Sequence, residues 1–141
     1  DAPFSGQGRR VLYVDDEPAI RVLAAMLLER LGCEALTADS AESAERMLGR
    51  PGAMPDAVVT DLHMPGADGL ALVGRLRARV PTVPIIVATG LADDGLRSAV
   101  RALGRIQVLD KPYTQRALGE ALAVAFGEDR RQRPRTTTDA V

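Results

Sequence analysis

The sequence, of 141 residues, has little of what small domains often use for stability. Aromatic residues make up only 3% and tryptophan is absent, so the core must be aliphatic. The single cysteine, Cys33, cannot form an internal disulfide. A chain of this length buries enough surface to fold as one domain without crosslinks. We therefore expect one domain in a reducing, cytoplasmic setting.

Long apolar runs, strong net charge and lysine are also missing. No run reaches the 18 apolar residues of a membrane span, and no signal peptide pattern is present, so we expect no membrane insertion. The formal net charge of −1 argues against direct nucleic acid binding. The chain has 17 arginines but one lysine, Lys111. Because the two residues are not interchangeable in tight sites, the position of that lysine is informative.

Short apolar runs that alternate with helical stretches are the main pattern present. The runs predict five strands, at Val11–Val14, Glu34–Ala38, Ala57–Thr60, Ile85–Ala88 and Ile106–Leu109. Each run is followed by a stretch with helical apolar spacing. Five strands alternating with five helices predict a three-layer α/β fold with a parallel sheet.

Local signals indicate where the helices begin and which residues they bury. Pro18 suits the first turn of the first helix. The apolar spacing there predicts a buried stripe of Ile20, Leu23, Ala24, Leu27, Leu28 and Leu31. Asp39 and Glu42 form a capping box for the second helix.

Composition divides the chain into three segments. We expect a linker at 1–8, the folded domain at 9–127 and a disordered tail at 128–141. The tail is polar and rich in arginine and lacks apolar periodicity, which is typical of disordered segments.

Polar residues of different chemistry follow the predicted strands. Asp15 and Asp16, then Asp61, Thr89 and Lys111 stand at four strand ends. Ligands of parallel sheets bind beyond the carboxyl ends of the strands, so these side chains should meet in one cleft. Crowded carboxylates repel one another, and a hard dication with oxygen ligands relieves that repulsion. The set predicts a site for Mg²⁺, with Mn²⁺ as a substitute, and for a phosphoryl group that a carboxylate can accept.

Four motifs in order carry a family resemblance. Val14–Glu17, Thr60–Gly66, Ala88–Gly90 and Asp110–Pro112 resemble the receiver domain of two-component signalling proteins, and the similarity extends over about 9–127. The resemblance implies a flavodoxin-like (βα)5 fold with strand order 2-1-3-4-5. It also implies a phosphoacceptor switch in a phosphorelay, either stand-alone or as the C-terminal receiver of a hybrid histidine kinase.

The resemblance implies a role for each acidic residue. Asp61 would accept the phosphoryl group from the phosphohistidine of a histidine kinase or histidine phosphotransfer domain. Asp16, Asp61 and the backbone carbonyl of His63 would ligate Mg²⁺ directly. Asp15 would act through water.

The remaining site residues would act on the phosphoryl group and pass on the signal. By resemblance, Thr89 shifts toward a phosphoryl oxygen, Lys111 pairs with it, and the Lys111–Pro112 bond is cis. Phosphorylation of Asp61 would alter the surface of helix four, strand five and helix five, and could accompany dimerisation. The family often has an aromatic residue three positions before the lysine, and this chain has Val108 there.

Two other functions remain as alternatives. A degenerate docking module would be expected to lack Asp61, Lys111 or the acidic pair, and the sequence has all of them. A phosphatase with an aspartyl nucleophile would be expected to have an Asp two residues after Asp61, where His63 stands. We therefore expect mainly a switch that catalyses its own phosphorylation and dephosphorylation.

Overall fold

A computed structural model describes residues 3–62, 69–90 and 94–127. The strands are β1 to β5, at Arg10–Val14, Glu34–Ala38, Ala57–Asp61, Ile85–Thr89 and Ile106–Asp110. The helices are α1 to α5, at Pro18–Arg30, Ala41–Leu48, Gly69–Arg79, Asp94–Arg101 and Gln115–Ala125. Strands and helices alternate as the periodicity predicts.

The five strands form one parallel sheet in the order β2-β1-β3-β4-β5. This confirms the predicted α/β, flavodoxin-like class and its strand order. Because β1 and β3 are neighbours and both lie inside the sheet, Val14 pairs with Thr60 in register. The residues that follow these two strands therefore leave the sheet side by side.

Aliphatic side chains form a core layer on each face of the sheet. One layer joins strand residues such as Val14 and Val87 to α2, α3 and α4. The other joins Tyr13 and Ile86 to α1 and α5. The composition predicts this aliphatic core, and the two layers fix the strands whose ends carry the polar residues.

Two local predictions were wrong. Leu23 is 51% exposed, because α1 turns Ala24 and Leu28 toward the sheet and leaves Leu23 on the outer side. The cap of α2 is Ser40, whose hydroxyl accepts a hydrogen bond from the Ser43 N–H at 3.0 Å. The hydroxyl satisfies one of the free N–H groups of the first turn, the role expected of Asp39.

The segment before β1 packs onto the domain, although its composition is typical of a linker. Phe4 stacks on Phe126 with ring centroids 6.2 Å apart. The guanidinium carbon of Arg9 lies 3.9 Å from the Phe126 centroid. The Gly6 N–H donates to the Leu31 carbonyl at 2.6 Å. Residues 4–9 therefore contact the ends of α1 and α5, whereas the predicted tail at 128–141 lies outside the described residues.

Candidate functional site

Three carboxylates meet at the carboxyl edge of the sheet. Asp15 and Asp16 follow β1 and Asp61 ends β3. One carboxylate oxygen from each residue lies within 4.8 Å of the others. Asp15 and Asp61 are buried, whereas Asp16 is exposed. The sequence prediction that these three residues converge agrees with this geometry.

The Asp15 carboxylate is only half satisfied. Its Oδ1 atom accepts a hydrogen bond from the Glu17 N–H at 2.9 Å. Its Oδ2 atom is buried and has no hydrogen-bond partner among the described residues. Burial raises the pKa of Asp15; the Glu17 N–H opposes that rise and the neighbouring Asp61 charge adds to it. A buried oxygen without a donor is costly, so this edge favours a positive ligand.

These residues fit a hard divalent cation. The site offers oxygen ligands from three carboxylates, which is the ligand type that Mg²⁺ prefers. An exposed member, Asp16, leaves room for the waters that Mg²⁺ usually keeps. The unpartnered Asp15 Oδ2 atom supplies the electrostatic reason for a cation to bind.

Lys111 is the cation that approaches these carboxylates from β5. Its Nζ atom lies 3.2 Å from Asp61 Oδ2 and 3.9 Å from Asp15 Oδ2. Its backbone N–H donates to the Thr89 carbonyl at 2.9 Å, which ties the lysine to the end of β4. The Lys111–Pro112 bond is cis, as the resemblance implies. Thr89 is buried at the last position of β4.

Sequence reasoning missed two groups that support the site. The Arg21 guanidinium donates to the Asp15 carbonyl at 2.8 Å and so anchors the acidic loop to α1. The hydroxyls of Tyr13 and Tyr113 are 2.6 Å apart. Burial raises the pKa of both phenols above the usual value. Only the position of each tyrosine, two residues from a site residue, could have indicated them.

Two predicted neighbours of the site lie outside the described residues. They are His63, expected to offer its backbone carbonyl to the metal, and Asp68, expected to cap the third helix. Both assignments stay predictions. Val108 is half-buried and pairs in register with Val87, so an aliphatic residue occupies the position where the family often has a ring.

An apolar patch on α1 lies close to the acidic loop. Val22, Leu23 and Met26 are 62%, 51% and 45% exposed. These three residues, called the α1 patch below, begin one turn after Pro18, which itself follows the exposed Glu17. Clustered exposed apolar residues on one helix often mark an interaction surface. Among the described helices, none combines the length and apolar character needed to cross a membrane.

Comparison with known proteins gives consistent matches. Residues 11–123 match the family described as the response regulator receiver domain. The chain is 40% identical over 105 residues to a protein-glutamate methylesterase/protein-glutamine glutaminase of Anaeromyxobacter dehalogenans. The match covers 73% of this chain but only 29% of that protein. The chain thus spans less than a third of this relative's length.

Solved structures with the same fold include other receiver domains. A response regulator receiver domain protein from Clostridium thermocellum is 28% identical, with a TM-score of 0.77 and coverage of 89% of this chain and 99% of that one. The receiver domain of a sensor histidine kinase from Pseudomonas aeruginosa is 28% identical, with a TM-score of 0.73 and coverage of 85% and 98%. That second structure has a magnesium ion coordinated in the active-site cleft.

Proposed function

Because the chain belongs to the response regulator receiver family, we propose that it is a phosphoacceptor switch in which Asp61 takes a phosphoryl group from a phosphohistidine. One observation carries the proposal: the Lys111 ammonium lies 3.2 Å from a buried Asp61 carboxylate that is grouped with two other carboxylates. A phosphoryl acceptor needs a nucleophile beside groups that neutralise phosphoryl oxygens. Membership of the family does not by itself require that this chain has the nucleophile and these neutralising groups.

The acidic residues divide the work at the metal. Asp16 and Asp61, together with the backbone carbonyl that the resemblance assigns to His63, would ligate Mg²⁺ directly, and Asp15 would act through water. Asp15 is anchored by two hydrogen bonds, from the Glu17 N–H to its carboxylate and from the Arg21 guanidinium to its carbonyl. When bound, Mg²⁺ supplies positive charge beside the transferring phosphoryl group. Mn²⁺ has the same charge and also binds oxygen ligands.

Phosphoryl transfer is a displacement at phosphorus. A carboxylate oxygen of Asp61 forms a bond to phosphorus while the bond to the imidazole nitrogen of the donor breaks. The second ring nitrogen of the donor imidazole carries a proton, so the imidazole that keeps the electron pair leaves as a neutral molecule. Water later attacks the aspartyl phosphate and releases inorganic phosphate, which returns Asp61 to its carboxylate form. Burial of Asp61 limits access of that water.

Lys111 and Thr89 hold the phosphoryl oxygens. Lys111 already lies beside Asp61, so its ammonium can follow the negative charge from the carboxylate to the phosphoryl group. Thr89 lies at the end of the neighbouring strand, and its carbonyl bonds to the Lys111 N–H. The two residues are therefore linked through backbone as well as through the phosphoryl group.

The phosphodonor is a histidine kinase or a histidine phosphotransfer domain. A donor histidine would approach Asp61 near the start of α1, because α1 begins at Pro18, two residues after Asp16. The α1 patch would offer this partner an apolar surface on the same helix. Such a donor is cytoplasmic, which places the domain in the same compartment.

The output surface is formed by α4, β5 and α5. Arg97 of α4 donates to Asp110 of β5 at 2.6 Å, one residue before Lys111. Movement of Lys111 and Thr89 toward a phosphoryl group changes the end of β5 and so the support of α4. With Val108 in place of a ring, this contact rather than an aromatic side chain links the two elements. A phosphorylation-linked dimer would use the same surface.

The test is phosphorylation by a small phosphodonor. We expect phosphoramidate to add one phosphoryl group to the protein with Mg²⁺ or Mn²⁺ and none with a chelator, because the carboxylates need the cation. Intact-mass spectrometry measures the adduct. Asp61→Asn removes the nucleophile and should abolish it.

Asp110→Asn is the matched control, because Asp110 also ends a strand of the sheet, β5, but is largely exposed and paired with Arg97. It should keep the adduct. An adduct that persists in Asp61→Asn would contradict the assignment. Absence of an adduct in the folded wild-type protein would favour a docking module instead.

A further inference from the structure

We propose that Tyr113, through its hydrogen bond to Tyr13, is a positioning residue for Lys111. This inference rests on the proposed function, since Lys111 matters only if a phosphoryl group is transferred. The two hydroxyls are 2.6 Å apart although the residues are 100 positions apart in the chain. Tyr13 lies two residues before Asp15, and Tyr113 two residues after Lys111. The bond therefore joins the strand of the acidic pair to the turn of the lysine.

Tyr13 is the rigidly held partner in this hydrogen bond. It has no exposed surface and sits in β1, which is paired with β2 on one side and β3 on the other. Its ring packs in the apolar layer with Leu28 and Leu118. A phenol held this firmly cannot move without disturbing the centre of the sheet.

The contact with Tyr13 restrains the turn that follows β5. Lys111 has a backbone hydrogen bond to Thr89, but Pro112 has no N–H to donate. The next side-chain contact belongs to Thr114, which caps α5 through the Ala117 N–H at 3.0 Å. Tyr113 lies between these two anchors in the chain, so the contact of its hydroxyl with Tyr13 restrains the segment that determines where the Lys111 side chain begins.

A purely structural explanation exists for the same contact. Two buried phenols must satisfy their hydroxyls, and pairing them does so. Removing one hydroxyl would then affect stability alone. The positioning role differs because its effect on phosphorylation must pass through Lys111, and this difference can be measured.

The experiment is a double-mutant cycle between Tyr113→Phe and Lys111→Ala. Phosphorylation by phosphoramidate at saturating Mg²⁺ is followed by intact mass. We expect Tyr113→Phe alone to slow the rate about two- to tenfold, the range that corresponds to one neutral hydrogen bond. In the Lys111→Ala background the same change should have no further effect, since the residue acts through the lysine. Tyr13→Phe should behave like Tyr113→Phe, and the variant with both changes should be no slower.

Ile86→Val is the control, because it trims the same apolar layer but lies inside β4, in register with Gln107 of β5, and removes no hydroxyl. It should leave the rate unchanged. The inference is overturned if Tyr113→Phe phosphorylates at the wild-type rate, or if it slows the Lys111→Ala protein equally. Failure of the wild-type protein to take up phosphate would instead overturn the proposed function. Thermal melting of each variant shows that the compared proteins are folded.

Fluorescence gives an independent measurement. The chain has two tyrosines and no tryptophan, so all its tyrosine emission comes from this pair. Beryllofluoride, which mimics the phosphoryl group on Asp61, should change that emission in the presence of Mg²⁺. The change should be lost in Lys111→Ala if the lysine couples the pair to the site. An equal change in both proteins would contradict the coupling.

Discussion

Charged side chains are arranged differently at the two edges of the sheet. At the carboxyl edge, three carboxylates crowd together and Asp15 Oδ2 has no hydrogen-bond partner among the described residues. At the amino edge, Arg10 donates to Asp56 through its backbone N–H at 2.8 Å and to the Gly52 carbonyl through its side chain at 2.6 Å. At the carboxyl edge three carboxylates share the Lys111 ammonium as a nearby positive charge, whereas at the amino edge the Arg10 groups are paired with a carboxylate and a carbonyl. The contrast separates what serves function from what serves stability.

Arg77 is the strongest example at the amino edge. Its Nη1 atom donates to the Val80 and Val83 carbonyls, and its Nη2 atom donates to those of Gly104 and Arg105, all between 2.6 and 3.0 Å. Its Nε atom is buried without a partner in the described part of the chain. The guanidinium charge is nevertheless compensated by four carbonyls, so one side chain fastens the end of α3 to the loops before β4 and β5.

The largest expected effect is at this residue. Arg77→Met should lower the free energy of unfolding by about 3 kcal/mol, because it removes charged donors from partly buried carbonyls. Urea denaturation followed by circular dichroism measures the loss. Arg79→Met is the matched control on the same helix. Arg79 is half exposed and makes only a 3.7 Å ion pair with Glu45, which is worth less than about 1 kcal/mol. Equal losses of stability in Arg77→Met and Arg79→Met would mean that the carbonyl contacts of Arg77 do not stabilise the amino edge.

The second prediction makes the same substitution at both edges. Asp15→Asn should raise the free energy of unfolding in chelator at neutral pH by about 1 kcal/mol, because it removes a buried charge. Asp56→Asn should lower it by a similar amount, because it weakens the charged acceptor of the Arg10 N–H. Mg²⁺ should stabilise the wild-type protein and much less so Asp15→Asn. The same sign for both substitutions in chelator would contradict the comparison.

The pH dependence follows from the direction of the Asp15 shift. The pKa of Asp15 is raised in the folded protein, chiefly by burial. The folded state therefore binds a proton more readily than the unfolded state. The destabilisation caused by the buried Asp15 charge is absent below the pKa that Asp15 has in the unfolded state. It is complete above the pKa that Asp15 has in the folded state. Without metal, its contribution should make the wild-type protein gain stability relative to Asp15→Asn as pH falls through the raised pKa. A gap that widens on acidification would contradict this sign.

The smallest effect is expected where an ion pair is exposed. Arg97 and Asp110 have side chains that are 27% and 66% exposed. Asp110→Ala should change the free energy of unfolding by less than about 1 kcal/mol, and 1 M salt should remove most of that difference. Parallel urea titrations at low and high salt measure it. A large loss that salt does not reduce would mean that this contact belongs with the satisfied charges of the amino edge.

The sequence predicts the sheet and the convergence of the site, because both follow from local patterns. Apolar runs mark the strands, and the rule for parallel sheets then brings Asp15, Asp61 and Lys111 to one edge. Contacts between distant segments carry no such pattern. The bond between Tyr13 and Tyr113 depends on how two strands and a turn are packed.

Helix faces show a second limit. The α1 spacing fits a wide apolar stripe, but only packing decides that Leu23 lies outside it. An apolar side chain that is left exposed looks the same in sequence as one that is buried. The apolar spacing therefore assigns Leu23, one member of the α1 patch, to the core, although that side chain is exposed.

The direct test of the account is the position of the phosphoryl group. Borohydride reduces an aspartyl phosphate to homoserine, so the acceptor can be identified by sequencing peptides of the phosphorylated protein by tandem mass spectrometry. We predict homoserine at position 61 alone, formed with phosphoramidate and Mg²⁺ and absent when a chelator replaces the metal. Homoserine at position 15 or 16 instead, or an adduct that forms equally well in chelator, would contradict the account.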